Sequence, residues 1–513
     1  MKIPPRLFLL FVFALPGLQS LAGAQPVANA RAGCTPNGNI FNVESPQNAN
    51  LLSQFDESVA LLVNDSSNGD DLIVGTAEDR RPLVDQSFPF NDAFYVGRNS
   101  SDCGAAVDGG MPLISFNGQL FEAASVTGPV VAADPAHHAF FFGDLYLAES
   151  PDVSEIAILK TTTSDLLNTT NCPNGTLQNS VPCFEPFAGG VDFSPLNTNP
   201  SNPSLAVDQR KTGTGSGDVY VAANLQTAGQ NLQLTIAACT NDKLTCGQAT
   251  AINDFGQFDD ARPTIQVRTD GLITISYQRM LSSGSGFQYK FVTCTPNGAP
   301  EPPACGNPVV AAQPKNPAIG QGGETAIFIN SRPVHVNRQE AGGKTFTTFL
   351  IYADCEVPAI QTPLVTFCPK TNVELTHSTD GKTWSTPEKV SAAQGQQFES
   401  AMALDESTGT VNIAYYSTEN DVQKLTSQVF LAQILPGSTM VSTPHQLTKQ
   451  LYDAQFFGSF FSGYGDHIAV AAGGTGNPGE SKAYVHFTGT PVDGLYNGRR
   501  FPIDTNTLTR FDY

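Results

Sequence analysis

One pattern recurs along this chain and limits what it can become. Two short runs alternate apolar with small or polar residues, the period of a half-buried strand, and a turn joins them. The clearest copy is residues 397–415, Q-F-E-S-A-M-A-L-D-E-S-T-G-T-V-N-I-A-Y, with its turn at Asp405-Glu406-Ser407-Thr408-Gly409-Thr410. Near-copies lie at residues 203–223, 129–149 and 263–277. Taking the first residue of each second strand as a marker gives Leu72, Leu145, Val219, Ile273, Val334, Val411 and Ile468, on average 66 residues apart. A unit of that length holds about four strands of roughly six residues with their connections. A four-stranded sheet has two apolar faces and cannot cover both itself. Radial packing of such sheets does so and leaves only short edges. The expectation is an all-β, seven-bladed β-propeller of four antiparallel strands per blade, with six or eight blades left open.

A second recurrence fixes the phase. Gln54-Phe55-Asp56, Gln257-Phe258-Asp259, Gln397-Phe398-Glu399 and Gln455-Phe456-Phe457 precede the first strand of four copies. In a propeller that strand lines the axis. Phe can plug the gap between blades while Gln ties a loop, or the acidic third residue can point into a shared central site.

Residues 1–24 read as a secretory signal: Lys2 and Arg6, an apolar stretch from Leu7, and Ala22-Gly23-Ala24 before Gln25. Residues 25–50 read as an edge segment and 51–513 as one propeller domain. No later stretch is apolar for long enough to span a bilayer, so the expected product is monomeric and secreted or periplasmic. The formal charge of −20 opposes nucleic acid and anionic membrane as partners and suits a cation.

Ten cysteines in an exported chain point to disulfides. Spacing favours Cys172/Cys183, Cys239/Cys246, Cys294/Cys305 and Cys355/Cys368, the first three at the turn between strands three and four of a blade. That leaves Cys34 with Cys103, which would pin the amino-terminal segment to the first blade. The rival, a thiolate metal site, lacks any C-x₂-C pair. The turn at residues 64–70 has only half of a calcium loop's ligands and reads as a plain turn. Seven histidines, His137 and His138 among them, show no H-E-x-x-H spacing.

The segment His377-Ser378-Thr379-Asp380-Gly381-Lys382-Thr383-Trp384 contains S-x-D-G-x-T-W and resembles the Asp-box of bacterial neuraminidase repeats. The resemblance covers about residues 54–487 and implies an exported, sialidase-like propeller. It assigns Ser378, Asp380, Gly381, Thr383 and Trp384 a structural role in the turn between strands three and four. Sialidases hold a carboxylate with three arginines and use a Tyr–Glu pair and an Asp. Here the early F-R-I-P motif is missing. Arg262 is the nearest substitute, with Arg80, Arg81, Arg279 and Arg332 near other inner strands. Arg262, Tyr277 and Glu399 are the catalytic candidates, and Tyr415 stands nearby.

The preferred expectation is a propeller without catalysis, binding a glycan or an extracellular protein on the face where the inner strands begin. Asp56, Glu57, Asp259, Asp260, Glu399 and Asp453 would crowd that face. Carboxylates held close repel unless protons or a cation intervene. Calcium is the cofactor considered, with Asp259 and Glu399 as its ligands. The alternative is a glycoside hydrolase of the exo-sialidase type.

Overall fold

A computed structural model describes residues 54–65, 71–79, 91–98, 107–110, 113–116, 119–122, 128–147, 154–166, 190–192, 198–227, 232–252, 260–281, 286–314, 320–322, 327–329, 332–357, 360–361, 366–368, 370–423, 426–448, 468–477, 479–496 and 499–513. The fold is an all-β propeller. Six blades of at least four strands are arranged in a ring, and a three-stranded sheet lies between the sixth and the first. The inner strands of the six blades are Gln54–Leu62, Val130–Asp134, Thr198–Val207, Asp260–Val267, Val334–Gln339 and Gln397–Asp405. Ala469–Gly473 is the inner strand of the closing sheet, followed by the long hairpin Lys482–Tyr496 and Arg499–Asp512.

Among the described residues six sheets are complete blades, one of the counts left open by the sequence, and the last repeat shows three strands. The markers also shift. Leu72, Val219 and Ile273 do begin second strands. The second strand of blade 2 begins at Ala139, six residues before Leu145. Val334 and Ile468 stand at inner strands instead. Alternation alone does not distinguish a first strand from a second when both are half-buried.

The ring forms for the expected reason. Each apolar core sits between two sheets, not within one. Phe141 and Ile158 of blade 2 pack with Leu205 and Val221 of blade 3. Ile236 of blade 3 packs with Ile275 and Tyr277 of blade 4, and Phe349 of blade 5 with Met402 and Ile413 of blade 6. Phe398 of blade 6 stacks on Tyr416 and meets Val485, Phe487 and Phe511 of the closing sheet.

Polar bolts cross each seam, most of them at the end of the ring where the inner strands finish. Asp65 of blade 1 accepts from Thr163 of blade 2. Lys160 Nζ of blade 2 donates to the Asn241 side chain of blade 3 (2.8 Å). Arg210 of blade 3 donates to the Asp270 carbonyl of blade 4 (3.2 Å). Arg338 of blade 5 donates to the Leu435 and Ser438 carbonyls of blade 6 (2.9 and 2.7 Å). The last residue, Tyr513, donates from its hydroxyl to Asp405 (3.1 Å). Between blades 4 and 5, His335 lies wholly buried against Thr274 Oγ1 and Ser276 Oγ (2.9 and 2.8 Å). The ring closes where Asp71 of blade 1 receives Lys482 Nζ and Tyr484 OH (2.8 and 2.9 Å).

A buried aspartate follows or ends three inner strands, Asp134, Asp208 and Asp405, and each caps its hairpin turn. A turn so tied loses no backbone donor to burial.

Cys239–Cys246 and Cys294–Cys305 are bonded and stand at the turns between third and fourth strands. Cys355–Cys368 closes the insertion of blade 5. Loops this short contribute about 2–3 kcal/mol each in the chain-entropy account. Cys34, Cys103, Cys172 and Cys183 lie outside the described residues. In the turn after Thr371–Ser378, Asp380 Oδ1 accepts from the Lys382 and Thr383 amides (both 2.7 Å), which holds its carboxyl well below the usual range. Ser378 Oγ accepts from the Gly381 amide (2.9 Å), and Gly381 supplies the positive φ of 67°. Trp384 leaves the turn to meet Phe291 of blade 4, ring centres 5.2 Å apart.

Candidate functional site

The inner strands are not regular. Each of four breaks register near its start: between Phe55 and Ser58, Ser201 and Ser204, Ala261 and Thr264, and Phe398 and Ser400. These are β-bulges, which re-aim a side chain and bend a strand. Three of the bulged residues, Asn202, Arg262 and Glu399, carry positive φ values of 50°, 56° and 40°. A residue other than glycine held there costs about 1–3 kcal/mol, and such strain collects at functional sites.

After each bulge comes a hydroxyl: Ser58, Ser204, Thr264 and Ser400. The Val131 amide donates to Ser58 Oγ (3.1 Å) and the Ile265 amide to Ser204 Oγ (3.2 Å). Thr264 Oγ1 donates to the Pro333 carbonyl (2.8 Å). Three of the four hydroxyls therefore tie one sheet to the next around the axis.

All seven inner strands or their immediate flanks wall a cavity of about 160 Å³ on that axis. The four hydroxyls, Arg332 and Glu399 form its polar part. Val59, Val131, Leu205, Val334, Met402 and Val470 are among its apolar part. Glu399 is only 2% exposed. Arg332, half-buried, donates from Nη2 to the carbonyl of Pro263 (3.0 Å), the residue beside Arg262. Arg262 is half-buried too, and among the described residues it has no ion pair.

The other expected residues separate. Asp260 is taken by Arg279 in a buried two-point pair (2.7 and 2.6 Å). Arg279 also donates to Tyr277 OH (3.2 Å), and Tyr277 is fully buried in the core between blades 3 and 4. Tyr415 is likewise fully buried, between blades 5 and 6, and burial raises its hydroxyl. Asp56 and Glu57 fall in the blade 1 bulge by backbone position. Asp259, Asp453, Arg80 and Arg81 lie outside the described residues. Among the described residues no three acidic, histidine or cysteine side chains gather as a metal-ligand set; the calcium expectation involves Asp259, which lies outside them. Gln397 and Phe398 follow the structural expectation: Gln397 ties Val373 N and Ser391 O, while Phe398 fills a seam. Glu399, next in line, reaches the axis.

Sequence reasoning missed the hydroxyl collar. Its signal was present as Ser or Thr following a polar or charged residue, with or without proline, at one phase of four repeats.

No family model matches the chain, and no curated protein does. Among solved structures it is distantly similar to an α-L-arabinofuranosidase of Fusarium graminearum in complex with arabinobiose (12% identity, TM-score 0.40, covering 75% of this chain and 93% of that one). It is similar to a Hadza microbial sialidase (11%, 0.42, 86% and 76%) and to a protein of unknown function from Dyadobacter fermentans (8%, 0.43, 95% and 98%). Likeness at this level carries no argument about activity. No helix among the described residues is long and apolar enough to cross a membrane.

Proposed function

We propose that this is an exported binding propeller that takes the end of a glycan at the axial mouth where its inner strands begin. The observation that carries the reading is the axial cavity, to which all six blades and the closing sheet contribute and whose wall includes both Arg332 and Glu399. A volume of about 160 Å³ suits one small polar unit and lies below the roughly 300–1,000 Å³ of sites that enclose drug-sized ligands. Hydroxyls, one guanidinium and one carboxylate match the hydrogen-bonding edge of a sugar, and the branched side chains match its apolar face. Strain at Glu399 pre-sets its carboxylate before any ligand arrives.

Hydrolysis is the weaker reading. A retaining or inverting mechanism needs two carboxyl groups flanking the bond, and Glu399 is the single carboxylate among the cavity-lining residues described. Tyr277 is held in the core by Arg279.

The test is a glycan array followed by calorimetry, with calcium and with chelator. Glu399→Gln and Arg332→Ala are expected to weaken binding at least tenfold, with melting temperatures near that of the parent. A fluorogenic panel of sialosides and other glycosides is expected to show no turnover. Turnover abolished by Arg262→Ala or Tyr277→Phe in a folded protein would replace binding with catalysis.

A further inference from the structure

The seam between blades 2 and 3 brings an amine and a carboxyl group onto one carboxamide. Asn241 stands in the turn after Gln233–Cys239, inside the loop closed by Cys239–Cys246. Its side chain is held at both ends. On one side Lys160 Nζ donates to Asn241 Oδ1 (2.8 Å) and to the Asn241 carbonyl (3.0 Å). On the other, Asn241 Nδ2 donates to Asp134 Oδ2 (2.7 Å). Among the described residues Lys160 has no ion pair. The amide keeps it from the aspartate it would otherwise seek.

Each of the three groups is fixed by its own element. Lys160 lies on the third strand of blade 2, opposite Phe141 in the register, with Nζ 5.8 Å from the centre of that ring. Phe141, Ile158 and Leu244 make the surrounding seam apolar. Asp134 is wholly buried, and its Oδ1 accepts from the Ala136 and His137 amides (3.0 and 3.3 Å). Its Oδ2 also meets His137 Nδ1 (2.6 Å), and His137 is half exposed. The turn that carries Asn241 is tied by the Thr240 amide to the Thr245 carbonyl (3.0 Å) as well as by the disulfide. An amine held on Oδ1 is one bond from Cγ, the carbon it would attack. Reactants held at contact in a fixed orientation need no encounter, which removes much of the barrier.

We propose that Lys160 and Asn241 join in a side-chain amide bond, a covalent rivet between blades 2 and 3. Lys160 Nζ, as the free amine, forms a bond to Asn241 Cγ, and the Cγ–Nδ2 bond breaks. The Asp134 carboxyl group takes a proton from the attacking nitrogen and gives one to Nδ2, the general acid–base role its place between them allows. Nδ2 leaves as ammonia. Counted from the charged lysine, an ammonium group and a primary amide become a secondary amide and one ammonium ion. Nothing is oxidised or reduced, and no other reactant is needed. His137 links the buried carboxyl group to solvent for any proton exchanged. The bond joins positions 81 apart in sequence. Neighbouring bolts are not built for this exchange: Arg210 and Arg338 donate to backbone carbonyls.

The experiment is a peptide digest of the folded full-length protein, reduced and read by tandem mass spectrometry. Other side reactions also release ammonia, so the bond is read as a branched peptide and not from the total mass. The expected result is a peptide in which the Lys160 segment is joined to the Asn241 segment, with the mass of the two less one ammonia. Lys160→Arg and Asn241→Ala are expected to lose the branched peptide entirely and to melt at a lower temperature than the parent. Asp134→Asn should leave most of the chain unlinked. Asp134 also caps a turn, so the parent and Lys160→Arg decide whether the bond exists even if that variant does not fold. Separate, unbranched peptides throughout the folded parent would overturn the proposal. A branched peptide at parental yield in folded Asp134→Asn would overturn the role given to Asp134.

Discussion

The seam between blades 4 and 5 and the seam that closes the ring solve one packing problem with different chemistry. At the first, the wholly buried side-chain network is neutral. His335 lies between Thr274 and Ser276, and Asn337 Nδ2 donates to Thr274 Oγ1 while Thr348 Oγ1 donates to Asn337 Oδ1 (both 2.8 Å). At the second, a buried carboxylate, Asp71, holds a lysine and a tyrosine, and its neighbour His486 meets the Ser58 carbonyl (3.1 Å). A neutral network spreads its contribution over many modest bonds. A buried charge concentrates it on one atom pair, because either ion left alone is costly to bury.

The sharpest way to break this contrast is to remove the charge. Asp71→Ala is expected to destabilise the protein by about 3–5 kcal/mol in urea unfolding, since Lys482 and Tyr484 lose their acceptor. The double change Asp71→Asn with Lys482→Met should recover most of that loss. If Asp71→Ala costs no more than a surface substitution, the two seams do not differ in kind.

Acid probes what the seams share. Burial pushes His335 down to about 3 and His486 down to about 4. Unfolded, both titrate near 6.5. Above pH 6.5 their contribution is fully present. As pH falls below 6.5 the unfolded chain takes up protons that the folded one refuses. Stability then drops by about 1.4 kcal/mol per pH unit for each histidine until the folded values are reached. Unfolding free energies at pH 7 and pH 5 should differ less in His335→Gln and in His486→Gln than in the parent. Equal slopes in all three would show that neither histidine is excluded from protonation.

The smallest effect belongs to the neutral seam. Thr274→Val deletes one hydroxyl from a network with several members and should cost about 1 kcal/mol. A loss as large as that of Asp71→Ala would mean that the network acts as one unit.

Much of this ring was legible in the chain. Paired strand runs with two apolar faces demand neighbours, so the propeller followed from periodicity. Cys239/Cys246 and Cys294/Cys305 followed from spacing, because a short loop between antiparallel strands brings its ends together. The last repeat was harder. The G-D-H-I-A-V-A stretch resembles a second strand, yet Ala469–Gly473 lies innermost, and only tertiary packing decides that. The acidic face was legible only in part. Asp260 and Glu399 are equally acidic in sequence, but Asp260 stands opposite Arg279 in the strand register and is consumed by it. Glu399 sits on a bulge that turns it toward the axis. Register and bulges are set by partner strands, and a single run of residues does not carry that information.

The hydroxyl collar has an evolutionary consequence. Ser58, Ser204 and Thr264 line the axial cavity and at the same time bond to the neighbouring sheet. Drift at these positions is therefore constrained twice, because a change that reshapes the mouth also loosens a seam.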